Sequence, residues 1–139
     1  MGMSFEERSV WVQAVAMLIV LGGYFVIAGV MMSRGVGVLA AYVPLFIGAV
    51  VLMVAVLVVG HVAAALLSRD RRADERDRLI GWRAEASSSW LVGAGVIVGI
   101  GCMVAGMNDV WVAHLLLGSM FLSETLKYAL QIVYYRRGV

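Results

Sequence analysis

The sequence has one cysteine, one proline and few charged residues among its 139 positions. The single cysteine, Cys102, excludes an intrachain disulfide and leaves no basis for a thiol-ligated metal cluster. Charged residues make up 14% of the chain and hydrophobic residues 63%, whereas soluble domains have about 25% and about 45–50%. The scarcity of charge argues against a soluble fold and predicts a chain that lies in a membrane.

Catalytic and cofactor motifs are also missing. The sequence contains no H-E-x-x-H, G-x-S-x-G or phosphate-binding glycine loop. The two histidines, His61 and His114, are expected near opposite sides of the bilayer, so one haem cannot join them. Basic residues alternate with acidic ones in the middle of the chain, which leaves no basic patch for nucleic acid. We therefore expect no enzyme activity, catalytic residue, cofactor, metal or nucleic-acid partner.

Long apolar runs are what the sequence has instead. Three uncharged runs exceed the roughly 20 residues that a helix needs to cross a bilayer, and a fourth is interrupted by Glu124 and Lys127. The sequence thus predicts an all-α, polytopic membrane protein, in which one domain, residues 1–139, is an up-down bundle of four transmembrane helices. The spans are predicted at about residues 10–32, 42–67, 88–107 and 110–132.

The basic residues predict the orientation of the chain. Of eleven Lys and Arg residues, only Arg34 falls in a loop on the opposite side from the termini. The positive-inside rule then places both termini and the loop 69–85 in the cytoplasm. The acidic N-terminus does not resemble a cleaved signal peptide, so the first helix is expected to remain in the mature protein. We expect the bacterial inner membrane as the location and membrane lipid as a partner.

The cytoplasmic loop, residues 69–85, holds six basic and five acidic residues. At helical spacing Arg71 meets Glu75 and Asp74 meets Arg78, which predicts an ion-paired helical extension. The alternative is a docking site for a cytoplasmic protein, or a contact with acidic lipid headgroups. The residues of this candidate docking site are Arg71, Asp74, Glu75, Arg76, Asp77 and Arg78.

Glycines distinguish the third span. Gly95 and Gly99 form a GxxxG pair, and Gly93 and Gly101 belong to a second stripe of small residues two positions away. Small residues let helix backbones approach closely within a membrane. This pattern predicts a helix at the centre of the bundle or at a contact with another subunit, in a homo-oligomer or a membrane-protein complex.

The last span carries polar side chains that a bilayer tolerates poorly. His114, Glu124, Tyr128 and Gln131 follow one helical stripe, and Lys127 lies beside it, one turn from Glu124. Glu124 is expected on the order of 5 Å from the bilayer midplane at 1.5 Å rise per residue. A structural interpretation pairs Glu124 with Lys127, Tyr128 or another helix. A functional interpretation makes these five residues a site for a proton or a cation that enters from the cytoplasm.

Two motifs resemble a known family. The segments DERDRLI, residues 74–80, and FLSETLKYALQIVYYRRG, residues 121–138, cover about a fifth of the chain. Both resemble a family of small predicted membrane proteins of bacteria and archaea to which no function is assigned. The resemblance implies a four-helix membrane protein and no catalytic residues. Together these observations favour a non-enzymatic scaffold, regulatory or complex-accessory protein, and the alternative is a small proton-coupled transporter or channel that uses Glu124.

Overall fold

The computed structural model describes residues 5–67 and 74–138. Helices account for 91% of these residues, which confirms the prediction of an all-α fold. The α-helices are α1 (Phe5–Ser33), α2 (Val43–Leu67), α3 (Glu75–Ser88), α4 (Trp90–Val104) and α5 (Asp109–Arg137), and a 3₁₀ helix at Leu39–Tyr42 precedes α2.

Two short turns join the helices at one end of the bundle, which we call the turn end. In the first turn Gly35 has a φ of 83°, a left-handed conformation that glycine adopts without steric cost. Asn108 ends the second turn and caps α5, because its Oδ1 accepts the backbone N–H of Val110 at 2.8 Å. The Nδ2 of Asn108 donates to the Gly37 carbonyl at 3.2 Å, so this side chain also ties the two turns together.

The helix α3 begins at a capping box. The Asp74 side chain accepts the backbone N–H of Glu75 at 2.7 Å, and the Asp77 carboxylate accepts the backbone N–H of Asp74 at 3.0 Å. Ser89 keeps a right-handed helical conformation between α3 and α4 and makes no side-chain cap. The helical backbone therefore continues from Glu75 to Val104.

Side-chain contacts show that neighbouring helices run in opposite directions. Tyr24 of α1 contacts Phe46 near the start of α2, whereas Gly60 near the end of α2 lies against Val12. Likewise Tyr24 contacts His114 near the start of α5. The main packing runs in the order α2, α1, α5, α4, with α3 also on α5. The central positions thus belong to α1 and α5, and the glycine-rich α4 lies at one side of the described fold.

Three helical segments are long and apolar enough to cross a membrane, namely Phe5–Ser33, Leu39–Leu67 and Glu75–Val104. Among the described helices, α5 has 29 residues but does not reach the same hydropathy. The helix α2 presents most of its surface outward, because Ala49 and Ala64 are its only buried residues. A helix that is apolar on all sides and packs mainly on one neighbour is typical of a lipid-facing position.

Candidate functional site

A first polar cluster, the His114 cluster, joins α1 to α5 near the turn end. The Nδ1 of His114 lies 2.7 Å from the Val110 carbonyl, so in the neutral ring this nitrogen carries the hydrogen. The Nε2 atom therefore accepts the Tyr24 hydroxyl, at 2.9 Å. The ring of Tyr42 stands edge-on to His114 with the centroids 4.8 Å apart. His114 is 7% exposed, Tyr24 4% and Tyr42 2%, so this cluster is closed to solvent.

A second cluster, the His61 cluster, joins α1 to α2 near the opposite end of the bundle, which we call the terminal end. The Nδ1 of His61 lies 2.7 Å from the Leu57 carbonyl, which again makes Nε2 the acceptor. The Ser9 hydroxyl lies 2.8 Å from this nitrogen, and the Gln13 amide nitrogen lies 3.2 Å from it. The Gln13 amide also donates to the Ser9 hydroxyl at 3.2 Å.

Glu124 and Lys127 form an ion pair on α5. The Lys127 ammonium also lies 3.3 Å from the Glu85 carboxylate of α3, and 5.0 Å from the centre of the Tyr128 ring. The Lys127 ammonium thus forms ion pairs with two carboxylates, one on α5 and one on α3. His114, ten positions away along α5, belongs to a different cluster. The structure therefore divides the predicted five-residue site into two parts.

Hydrogen bonds on both sides of Lys127 also join α3 to α5. The Ser123 hydroxyl donates to the Ser88 carbonyl at 2.9 Å, and the Tyr135 hydroxyl donates to Asp77 at 2.9 Å. Burial, followed by the bond to Asp77, raises the pKa of the Tyr135 hydroxyl. The Oε1 of Gln131 and the Oγ1 of Thr125 are buried without a hydrogen-bond partner.

These contacts change the expected depth of Glu124. Glu85 lies about 29 Å along the continuous α3–α4 helix from its end at Val104, at 1.5 Å rise per residue. This length nearly equals the thickness of a hydrocarbon core, about 30 Å. Glu124 shares Lys127 with Glu85. Glu124 therefore lies close to the end of an apolar layer that begins at Val104, rather than close to its middle.

The glycines of α4 fall on two different surfaces. Gly95 and Gly99 are buried against α5, where a Cβ on Gly95 would overlap Ser119 and a Cβ on Gly99 would lie 2.9 Å from Leu116. Nothing lies within 4 Å of a Cβ built on Gly93 or Gly101. One stripe of small residues therefore packs within the chain, and the other faces outward.

The residues of the candidate docking site have several roles. Asp74 and Asp77 form the capping box of α3, and Asp77 also binds Tyr135. A guanidinium nitrogen of Arg76 lies near Gly138, where a Cβ on this glycine would be 4.0 Å from it. Glu75 and Arg78 are exposed, and Arg71 lies outside the described residues.

Two contacts at the terminal end involve α1. Arg8 donates to the Leu67 carbonyl at 2.6 Å and so caps the last turn of α2. The guanidinium of Arg136 lies 5.7 Å from the centre of the Trp11 ring, which places the end of α5 against the start of α1.

The larger cavities have apolar walls. A groove of about 680 Å³ lies between α1 and α2, from Trp11 and Gly60 to Val20. A second cavity, of about 430 Å³, lies between α1, α4 and α5 and has His114 in its wall. Neither is lined by Glu124. No group of three or more His, Cys, Asp or Glu side chains within residues 5–67 and 74–138 is placed to hold a metal ion.

Comparisons with protein families, with curated proteins and with solved structures find no match to this chain. The resemblance seen in the two sequence motifs therefore stays a prediction. Sequence reasoning missed the roles of Ser9, Gln13, Tyr24 and Tyr42, because each pairs with a histidine or backbone group on another segment. The only feature of the sequence that could have pointed to these four residues is that each places a polar or phenolic group within an otherwise apolar span.

Proposed function

We propose that this chain is a four-span membrane protein of the bacterial inner membrane with both termini in the cytoplasm, and that it acts as a non-enzymatic scaffold or complex-accessory subunit. The observation that carries this proposal is that His61, His114 and Glu124 are all engaged in contacts within the fold. Side chains that a transporter or an enzyme would keep for a substrate are engaged here within the fold, and the two histidines join α1 to its neighbours.

The outward surface of α4 supports an assembly role. Gly93 and Gly101 leave open space above the backbone, and Ile97 between them is 73% exposed. Because apolar burial alone does not drive association in lipid, such small-residue surfaces favour close contact with another membrane helix. The partner is a second copy of the chain or a helix of a larger complex.

A second candidate function, a proton- or cation-coupled transporter or channel, is favoured by one observation. The carboxylates of Glu124 and Glu85 both approach the Lys127 ammonium, which is an arrangement that would also hold a mobile cation. In the scaffold proposal the ammonium of Lys127 fills that position permanently.

The two functions are separated by Glu124→Gln, with Met120→Ala on the exposed surface of the same helix as the control. The scaffold proposal expects no proton or cation flux through the parent protein in vesicles, and an unchanged contact between α3 and α5 in Glu124→Gln, because that contact uses Lys127 and Glu85. Flux through the parent that Glu124→Gln abolishes, with assembly intact, would overturn the proposal and establish the transporter.

The orientation has its own test. In a Cys102→Ala background, Arg34→Cys is expected to react with a membrane-impermeant maleimide only from the outer side of the membrane. Labelling of this cysteine from the cytoplasmic side alone would show that the chain inserts the other way.

A further inference from the structure

The helix α3 has two apolar faces, and only one of them is used within the chain. Ile80 is 2% exposed and Ala84 is fully buried, and both belong to the face that packs on α5. Leu79 and Trp82, three positions apart on the opposite face, are 46% and 72% exposed. An exposed tryptophan beside an exposed leucine, on a helix that already has a packed face, favours contact with an apolar layer outside the chain.

Basic side chains flank the outward face. At 100° per residue, Arg78 and Arg83 lie on either side of the Leu79 and Trp82 stripe, and both are exposed. The nearby acids are mostly engaged elsewhere, since Asp77 binds Tyr135 and Glu85 binds Lys127. The exposed Glu75 lies on this face too, at the far end of the helix. An apolar stripe between two arginines complements an anionic surface with an apolar layer beneath it.

The depth of this face matches a layer of lipid headgroups. Measured along the continuous helix from its end at Val104, Arg83 lies at about 32 Å, Trp82 at about 33 Å and Arg78 at about 39 Å. A hydrocarbon core is about 30 Å thick, and the headgroup layer on each side adds roughly 5–8 Å. Trp82 and Arg83 therefore lie at headgroup depth, and Arg78 is within reach of it because arginine side chains extend toward the interface.

We propose that the outward face of α3, formed by Arg78, Leu79, Trp82 and Arg83, binds the headgroups of anionic phospholipids in the leaflet at the terminal end of the bundle. The two guanidinium groups bind lipid phosphate, and Trp82 and Leu79 enter the boundary between headgroups and acyl chains. This proposal rests on the membrane-spanning arrangement proposed above, and it assigns α3 to lipid rather than to a cytoplasmic protein.

The test uses the full chain in phosphatidylcholine vesicles that contain a minor fraction of brominated lipid, which quenches tryptophan fluorescence on contact. Comparison with Trp82→Phe isolates the share of the signal that comes from Trp82. Brominated phosphatidylglycerol should quench this share several-fold more strongly than brominated phosphatidylcholine at the same fraction, because each arginine near the surface enriches anionic lipid by roughly fivefold. The excess should fall at 0.5 M salt, where the Debye length is only about 4 Å.

The variant Arg78→Gln/Arg83→Gln should remove the excess quenching by the anionic lipid. Arg34→Gln, which deletes a positive charge at the turn end, should leave it unchanged. Equal quenching by the two lipids, or an excess that survives in the double variant, would overturn the proposal. Quenching of Trp82 by neither lipid, together with quenching by acrylamide in water, would overturn it in favour of a cytoplasmic partner.

These outcomes differ from a failure of the membrane-spanning arrangement itself. If the chain did not span the bilayer, the remaining tryptophans of Trp82→Phe would also escape quenching by both brominated lipids. Normal quenching of those tryptophans with no lipid preference at Trp82 would contradict only the headgroup site.

Discussion

The two histidines make the same hydrogen bonds at opposite ends of α1 but in different surroundings. Each donates from Nδ1 to the carbonyl four residues earlier and accepts at Nε2 from a hydroxyl of α1. His114 is buried among Tyr24, Tyr42 and Phe25, whereas His61 is half-buried among polar groups near the terminal end. The same bond pattern joins α1 to two different helices, and we expect burial to determine how much each contact stabilises the fold.

The α1–α2 and α1–α5 contacts also differ in how closely the helix backbones approach each other. Between α1 and α2, a Cβ on Gly60 would overlap Val12. Between α1 and α5, a Cβ on Gly118 would lie at an ordinary 3.9 Å from Phe25. The α1–α2 contact therefore depends on the absence of a side chain at Gly60, and the α1–α5 contact depends on aromatic packing.

The largest effect is expected for His114→Ala, which should destabilise the folded chain by about 2–4 kcal/mol, because it leaves a cavity among aromatic rings and an unpaired Tyr24 hydroxyl. His61→Ala should cost only about 0.6 kcal/mol, the average for a hydrogen bond between membrane helices. Reversible unfolding in mixed detergent micelles measures both values. Equal losses would show that burial does not distinguish the two clusters.

Gly60→Ala should destabilise the α1–α2 contact by about 1–3 kcal/mol, because Val12 is β-branched and cannot rotate away from a new methyl group. Gly118→Ala is the matched control on the other side of α1, and it should be neutral or slightly stabilising. The same unfolding measurement applies. If Gly60→Ala were neutral and Gly118→Ala harmful, the assignment of close packing to α1–α2 would be wrong.

Ser9→Ala should have a smaller effect, about 0.5 kcal/mol, because the Gln13 amide remains within reach of His61. A double-mutant cycle with His61→Ala should give a coupling energy of the same size. The equivalent cycle for Tyr24→Phe and His114→Ala should give a clearly larger coupling. No coupling in the Ser9 cycle would mean that this bond is not made in the membrane.

The smallest effect concerns α3 and α5, outside both histidine clusters. Because the Tyr135 pKa is raised in the fold, Tyr135 contributes stability that is fully present below its ordinary pKa of 10.0 and is lost as the pH rises above that value. Tyr135→Phe should remove this alkaline loss, and Tyr134→Phe is the matched control. A stability profile from pH 9 to pH 11 that is identical in the two variants would contradict the role of the Tyr135 bond to Asp77.

The sequence predicted where the helices lie far better than it predicted which helices contact each other. The stripe from His114 to Gln131 was visible from spacing alone, and so was the proximity of Glu124 and Lys127, one turn apart on the same helix. The partners of the histidines were not visible, since Ser9 and His61 are 52 positions apart and Tyr24 and His114 are 90 apart. Helical periodicity places a side chain on a face but does not say which helix that face meets.

The amino-acid sequence by itself determined that this chain is all-α, with long helices too apolar for water and charges gathered toward the terminal end. Only the tertiary structure decided that α1 and α5 lie at the centre, that Gly95 rather than Gly93 packs inward, and that Lys127 joins α5 to α3. The physical reason is that α1 and α2 are apolar nearly all round, so hydrophobic burial leaves their facing sides undetermined. A few polar groups and glycines determine which sides of the helices face each other, and they have this effect only where two helices meet.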